Sequence, residues 1–188
     1  MKTWIKTDVV TEPVTITEVK LFCKIAGTTE DTLLTSLIKS ARQAIENYTG
    51  LALAKKTVIT TYDLLGLNNI IELPVQPVSS VDSVKLVNLK GDETALTFND
   101  DYYVIDAPWT KIKMGTFYAS AGVILKVEYT VGYGAPDCPA LPEVLKLSVL
   151  KEVATQYERR EDITDTTGQV MDNSSRRLAD PFRIRLWL

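Results

Sequence analysis

The chain has 188 residues, 45% of them hydrophobic and 24% charged, which suits one globular domain with an arm or a tail. It holds 21 Lys plus Arg and 24 Asp plus Glu. The resulting net charge of −3 argues against a general nucleic-acid binder, which needs clustered cations. The sequence has no His, so the commonest general acid or base and the commonest metal ligand are missing. We therefore predict a protein that is not an enzyme and uses no cofactor or metal.

The two cysteines, Cys23 and Cys138, lie far apart and form no metal-binding or CxxC pair. We expect both to be reduced thiols in an intracellular protein. The first residues lack the apolar stretch of a signal peptide, and no apolar run approaches the length of a membrane span. The sequence thus predicts no contact with a membrane.

The N-terminal part predicts an arm followed by two helices. Residues 1–14 read as an extended arm. Thr15 and Glu18 have the spacing of a capping box, so a short helix is expected to begin there and to stop near Gly27. A second capping start at 28–31 precedes a regular apolar stripe, which predicts a long helix over 29–49 that ends at Gly50.

The middle of the chain changes to strand-like alternation. The segments that predict strands are 57–64, 70–73, 81–87 and 122–131, with weaker signals at 102–105 and 112–114. Together they indicate an antiparallel sheet or a small sandwich. Gly132-Tyr133-Gly134 is interpreted as the turn that ends the last strand, not as a phosphate-binding loop.

A second long helix is predicted from Glu143 to about Arg160, with Pro142 in its first turn. Its apolar residues cover more than one side, so the helix should be buried on two sides. The second side faces either the sheet or another subunit. The residues we assign to a possible subunit interface are Leu147, Leu150, Ala154 and Tyr157.

The C-terminal part is predicted to be a flexible linker, 161–175, followed by a docking segment that ends at Leu188. Arginines alternate there with apolar and aromatic residues, which are enriched at protein interfaces. The candidate docking residues are Arg176, Arg177, Leu178, Pro181, Phe182, Arg183, Ile184, Arg185, Leu186 and Trp187. Two alternatives stay open: the segment packs back on its own domain, or its arginines bind nucleic acid. If it docks, removing 165–188 should leave the fold stable and abolish docking.

A rival interpretation is a small enzyme or ligand-binding domain. Its best residues would be the adjacent carboxylates Asp100 and Asp101 with Tyr102 just before a strand. Such a pair is more often a solvated turn, and the sequence has no P-loop, nucleophile elbow or metal-ligand cluster.

The order of elements resembles the head–tail connector family of long-tailed bacteriophages and prophages, also called adaptor or head completion proteins. The segments that carry the resemblance are 14–22, 30–42, 45–50, 71–81, 127–134, 141–142, 157–160 and 178–183. They extend over most of the chain, and it is their order and spacing that resemble the family.

The resemblance implies an α+β, mainly helical fold: a short helix, a long helix, an inserted antiparallel β-structure, a long C-terminal helix and a flexible tail. The implied division of the chain is an extended arm over 1–14, a connector domain over 15–160, and a flexible linker with the docking segment over 161–188. It implies assembly in the host cytoplasm and a place in the virion at the head–tail junction.

The resemblance also implies the partners. About twelve copies would form a ring that closes on itself under the portal protein. Packaged DNA would pass through without sequence-specific binding, and the far face would receive the next connector, a stopper or the tail. The C-terminal segment would engage the portal. A tail-completion protein on the tail side is the structural alternative.

Overall fold

The structure is a computed structural model that describes residues 1–64, 69–106, 109–115, 123–134, 138–158 and 174–184. The chain divides into two compact units. The β unit comprises Met1–Val10 and Ala54–Pro139, and the helical unit comprises Thr11–Leu53 and Ala140–Leu188.

The β unit contains two antiparallel sheets. Its strands are β1 (Lys2–Thr7), β2 (Lys56–Asp63), β3 (Ile70–Glu72), β4 (Val78–Val87), β5 (Glu93–Ala95), β6 (Tyr102–Ile105), β7 (Lys111–Met114) and β8 (Ile124–Val131). The larger sheet has the order β1-β2-β8-β4-β5, and the smaller has the order β3-β7-β6. The first residues of the predicted arm therefore form an edge strand, because β1 pairs with β2.

Alternation along β8 shows why this sequence forms the centre of the larger sheet. Leu125, Val127, Tyr129 and Val131 are completely buried, while the residues between them are not. The Tyr129 hydroxyl lies 3.1 Å from the hydroxyl of Thr60 on β2, so its polar end is also paired inside the core. A period of two with one buried face is typical of a half-buried antiparallel strand. The strand predicted over 122–131 is confirmed for Ile124–Val131, and residue 122 lies outside the described residues.

The helical unit contains α1 (Ile16–Cys23), α2 (Asp31–Thr49), α3 (Glu143–Glu158) and α4 (Ser174–Ala179), with a 3₁₀ turn at Asp180–Phe182. The capping box of α1 is confirmed: Glu18 N–H donates to Thr15 Oγ1, and Thr15 N–H donates to the Glu18 carboxylate. The predicted cap of α2 is wrong, because its N-cap is Glu30 and no side chain caps it. Gly50 ends α2 with φ +76°, as predicted.

A buried ion pair holds part of α2. Arg42 is 2% exposed; it donates to Glu46 one turn later at 2.9 Å and to Glu12 at 2.7 Å. Glu46 in turn accepts the N–H of Leu53 at 2.8 Å. A buried charge costs much free energy unless it is paired and hydrogen-bonded, and both conditions are met here.

The prediction of a mainly helical fold is wrong. The described residues contain eight strands in two antiparallel sheets beside four helices, so strands and helices contribute comparably. The sequence signals missed β1 and β5. The prediction took the β-structure as a small insertion, although it forms a unit with its own core. Among the described residues, no helix has the length and apolar character of a membrane span.

Candidate docking surface

The candidate docking segment is folded against its own helical unit where the structure describes it. Ser148 of α3 donates from its hydroxyl to the carbonyl of Ser175 at 2.7 Å, and Ser175 donates to Glu152 at 2.6 Å. Ala179, at the end of α4, is completely buried. These contacts correspond to the sequence alternative in which the tail packs back on its own domain. Of the predicted linker 161–175, residues 161–173 lie outside the described residues, and the last two begin α4.

Tyr48, near the end of α2, organises the arginines of this segment. The Arg183 guanidinium lies 5.1 Å from the centre of the Tyr48 ring, and that of Arg176 lies 5.8 Å from it. Both distances are in the range of cation–π attraction. The Tyr48 hydroxyl donates to Asp180 at 2.8 Å. One aromatic side chain therefore holds α4 and the turn after it in a fixed arrangement.

The chemistry around Tyr48 also changes its acidity. The largest effect is the hydrogen bond to Asp180, which raises the pKa of the Tyr48 hydroxyl. Burial and the charge of Asp180 raise this pKa further. The charges of Arg183 and Arg176 act in the opposite direction but are smaller effects. The neutral hydroxyl is therefore the stable form beside the Asp180 carboxylate.

The chain then turns and lies along the end of α2. Arg183 N–H donates to the Asp180 carbonyl at 3.1 Å, and Ile184 N–H donates to the Thr49 carbonyl at 2.8 Å. A Cβ at Gly50 would lie 3.5 Å from Ile184 Cβ, which is ordinary contact. Arg185, Leu186 and Trp187 of the predicted docking set lie outside the described residues.

The outer side of this segment is a cationic surface. Arg176, Arg177 and Arg183 are exposed, and Asp180 is the acidic residue beside them. A shallow concavity of about 410 Å³ is lined by Tyr48, Arg176, Arg177 and Asp180. Pro181 is exposed as well, while Leu178 and Phe182 are half-buried. We call this the C-terminal surface; it is formed by Tyr48, Arg176, Arg177, Asp180, Pro181, Phe182 and Arg183.

Sequence reasoning identified the arginines of this surface but not Tyr48. In the sequence, Tyr48 belongs to the apolar stripe of α2 and looks like a core residue. Its position two residues before the terminal Gly50 is the available signal, since a residue in the last helical turn lies where a returning segment can contact it.

The four residues of the candidate subunit interface lie on different sides of α3. Leu145, Val149 and Val153 are completely buried within the helical unit. Leu147 is 37% exposed, and Leu150 and Ala154 are half-buried. Tyr157 donates its hydroxyl to Glu30, so it serves contacts within the unit. Neighbouring Val144 is 42% exposed and belongs with Leu147 on the outward side, although the prediction omitted it.

The rival enzymatic residues form a turn. Asp101 accepts the N–H of Thr97 at 2.8 Å, Asp100 is exposed, and Tyr102 is 6% exposed within β6. Burial raises the pKa of the Tyr102 hydroxyl. Across the part of the chain that the structure describes, no group of three or more His, Cys, Asp or Glu residues is placed to hold a metal ion.

The described surfaces include a cationic patch beside an aromatic ring, and a helix with apolar side chains on its outward side. A family model described as head completion protein matches residues 12–172. The chain therefore belongs to the head completion protein family. It is a structural protein of the phage virion with a head–tail connector role, as the sequence resemblance implied.

Three solved structures share the fold. The chain is 23% identical to a protein from the neck of an empty gene transfer agent (GTA) particle computed with C6 symmetry, with a TM-score of 0.81. It is 23% identical to one from the virion of the native GTA particle, with a TM-score of 0.79, and to one from the native neck computed with C12 symmetry, with a TM-score of 0.77. Each alignment covers 99% of this chain and 97% of the other. A search of the curated proteins returned no match.

Proposed function

We propose that this connector docks on the portal protein through the C-terminal surface and assembles into a closed ring. The observation that carries the proposal is the cationic surface that Tyr48 and α4 hold in place, on a chain of the head completion family. That the protein has no enzymatic activity is part of the proposal.

The chemistry of the surface indicates an acidic partner. Arg176, Arg177 and Arg183 present planar guanidinium groups, which pair with carboxylates through two parallel hydrogen bonds. Two of them stack on Tyr48, so less side-chain freedom is lost when they bind. We therefore expect Asp or Glu residues of the portal opposite these arginines, with Pro181 and Phe182 supplying apolar contact.

Ring assembly is proposed to use the outward side of α3. A ring that closes needs two different surfaces on each subunit, one contacting the other around the circle. Leu147 and Val144 expose apolar side chains at one such surface, next to half-buried Leu150. The GTA neck structures with the same fold were computed with C6 and C12 symmetry. For this chain we propose about twelve copies, the number that the sequence resemblance implies.

The charge of the chain suits a channel through which DNA passes. With a net charge of −3, the chain as a whole does not attract phosphates. The DNA is then expected to move through the ring without sequence-specific contact. The face away from the portal would receive a second connector, a stopper or the tail.

The test compares portal binding by the unmodified chain and by the Arg176→Glu/Arg183→Glu variant. Co-sedimentation with purified portal rings should show binding by the first and its loss in the second. Lys90→Glu changes the charge of an exposed turn and serves as the matched control, which should bind normally. If the unmodified protein binds purified tail-tube protein and not portal, the tail-completion alternative replaces this proposal.

A further inference from the structure

A groove in the β unit lies along an unpaired stretch of strand edge. On one side β4 pairs with β8 from Val78 to Val87, with register shifts between Val78 and Ser80 and between Val81 and Ser83. On the other side β5 pairs only with Lys85–Val87, and Leu96 N–H adds one hydrogen bond to the Val84 carbonyl. Within the described ranges, nothing pairs with the backbone of Val78–Ser83 on that side. Such an edge presents unpaired backbone donors and acceptors to any strand that approaches.

The groove beside this edge has a volume of about 590 Å³. Four consecutive residues, Val78–Val81, line it. They belong to the stretch of β4 that, among the described residues, has no partner strand on the β5 side. We call it the β4 edge groove. Its volume is in the range of sites that bind small ligands or short peptide segments.

The lining of the groove includes exposed aromatic side chains. Phe98 and Trp109 line it and are 52% and 39% exposed. Phe98 packs against Tyr102 with their ring centres 5.7 Å apart. Gln76 also lines the groove and is held in place, because its buried side-chain amide donates to the carbonyls of Leu73 and Thr110 at 3.1 and 2.9 Å. Exposed aromatic side chains beside a free strand edge favour an occupant with apolar side chains.

One carboxylate gives the groove its charge. Asp106 lines it and accepts the hydroxyl of Thr110 at 3.1 Å. No described Lys or Arg forms an ion pair with Asp106. A cationic side chain on the occupant would be complementary to it.

We propose that the β4 edge groove binds an extended peptide segment of a partner protein, which adds as a strand to β4 and carries apolar side chains and a cation. Backbone hydrogen bonds to Val78–Ser83 give affinity for any extended peptide. Phe98, Trp109 and Asp106 select its side chains. The inference is independent of the C-terminal surface, which lies on other residues, so one proposal can fail without the other.

The test uses full-length protein and the capped hexapeptide acetyl-Val-Lys-Val-Thr-Val-Thr-amide as the probe. We expect saturable changes in the NMR signals of the Val78–Ser83 amides. Those amides of the stretch that do not donate to β8 should exchange more slowly, because the backbone of the added strand satisfies them. A peptide with Pro in place of the central Val should bind roughly fivefold or more weakly, since Pro cannot donate in a strand ladder. A peptide with Glu in place of Lys should also bind more weakly.

Variants of the protein locate the site. Trp109→Ala should weaken binding of the probe roughly fivefold or more. Tyr103→Ala removes an aromatic residue of similar exposure from β6 that does not line the groove, and should leave binding unchanged. Dispersed NMR spectra of both variants show that they are folded. The proposal is overturned if the probe does not bind, if its signals map elsewhere, or if Trp109→Ala instead abolishes self-association of the chain.

Discussion

The hydroxyl of Tyr48 donates to the carboxylate of Asp180 at 2.8 Å, across 132 positions of the sequence. The ring of Tyr48 holds Arg183 and Arg176 by cation–π contact at the same place. In the described segment 174–184, the tail is therefore ordered before any partner arrives. A docking surface fixed in this way loses less conformational entropy on binding than a flexible peptide does.

The folded position of α4 changes what truncation should do. A chain of residues 1–164 loses buried Ala179 and leaves the Ser148 hydroxyl without its partner, the Ser175 carbonyl. We expect its free energy of unfolding to fall by about 2–4 kcal/mol. The flexible-tail interpretation of the sequence predicted instead that this truncation leaves the fold stable. Urea unfolding measures the change. Ala179→Glu should reproduce much of it, and Arg177→Gln, at an exposed position, should not; an unchanged midpoint for 1–164 would contradict the packing.

Titration of Tyr48 should report on the same contact. The pKa of the Tyr48 hydroxyl is raised by its hydrogen bond to Asp180, so the folded state keeps this proton to higher pH than the unfolded chain does. The contact should therefore stabilise the fold fully below the ordinary tyrosine pKa and lose that effect as pH rises through the raised value. NMR of a ring-labelled sample measures it. Asp180→Asn should lower the pKa of Tyr48, and no change would show that Asp180 is not its partner.

The ion pair between Glu18 and Lys146 should make the stability of the fold depend on pH in the acid range. The Lys146 ammonium lies 2.5 Å from the carboxylate and is the largest of the effects that lower the pKa of Glu18 from 4.5 to about 2. The carboxylate thus contributes stability above its unfolded pKa, and this is lost as the pH falls from 4.5 toward about 2.

Glu18→Gln is the variant that tests this dependence. It should lower the melting temperature at neutral pH, and the difference from the unmodified chain should vanish near the acid end of that range. Added salt should reduce the difference, because the pair is partly exposed. Asp100→Asn, in an exposed turn, is the control. If the difference in melting temperature persists unchanged in acid, the substitution acts through the helix and not through the charge of Glu18.

Two glycines after β8 should respond differently to substitution by Ala. Gly132 has φ +117°, and a Cβ there would lie 2.2 Å from the Ala54 carbonyl oxygen. Gly134 has φ +80° and open space around it. We expect Gly132→Ala to cost about 3 kcal/mol or more and Gly134→Ala to cost about 1–2 kcal/mol, by urea unfolding. Equal costs would mean that backbone strain, and not the close approach, dominates at both.

The outward side of α3 can be tested in the assembled ring. Leu147→Glu places a charge at an apolar, 37% exposed position, so monomers should remain folded while rings on portal are lost. Electron microscopy of connector–portal mixtures measures this. Leu89→Glu, at an 84% exposed position in a turn of the β unit, should still form rings. Intact rings with Leu147→Glu would remove α3 from the proposed interface.

Signals that depend only on neighbouring residues predicted their elements correctly. The capping box at Thr15, Gly50 after α2 and the alternation along β8 each depend on neighbouring residues, and each is confirmed. The fold class was wrong because β1 has exposed residues on both faces and so lacks alternation, and β5 has three residues. Pairing with distant strands makes them part of a sheet, and a single sequence does not show that.

The candidate surface was predicted in part for the same reason. The arginines stand out in the sequence by their spacing between apolar residues. Tyr48 becomes their partner only because α4 returns to the end of α2, which is a long-range contact. Likewise, the sequence does not distinguish exposed Leu147 from buried Val149, because both residues are apolar. The elements that pack on α3 decide which of the two is buried.

The most direct test of the account is co-sedimentation of the folded Arg176→Glu/Arg183→Glu variant with portal rings, beside the unmodified chain and Lys90→Glu. The account predicts that the unmodified chain and the control bind, and that the double variant stays in the supernatant because its surface now repels the acidic partner. Binding of the double variant with unchanged affinity would contradict docking through the C-terminal surface.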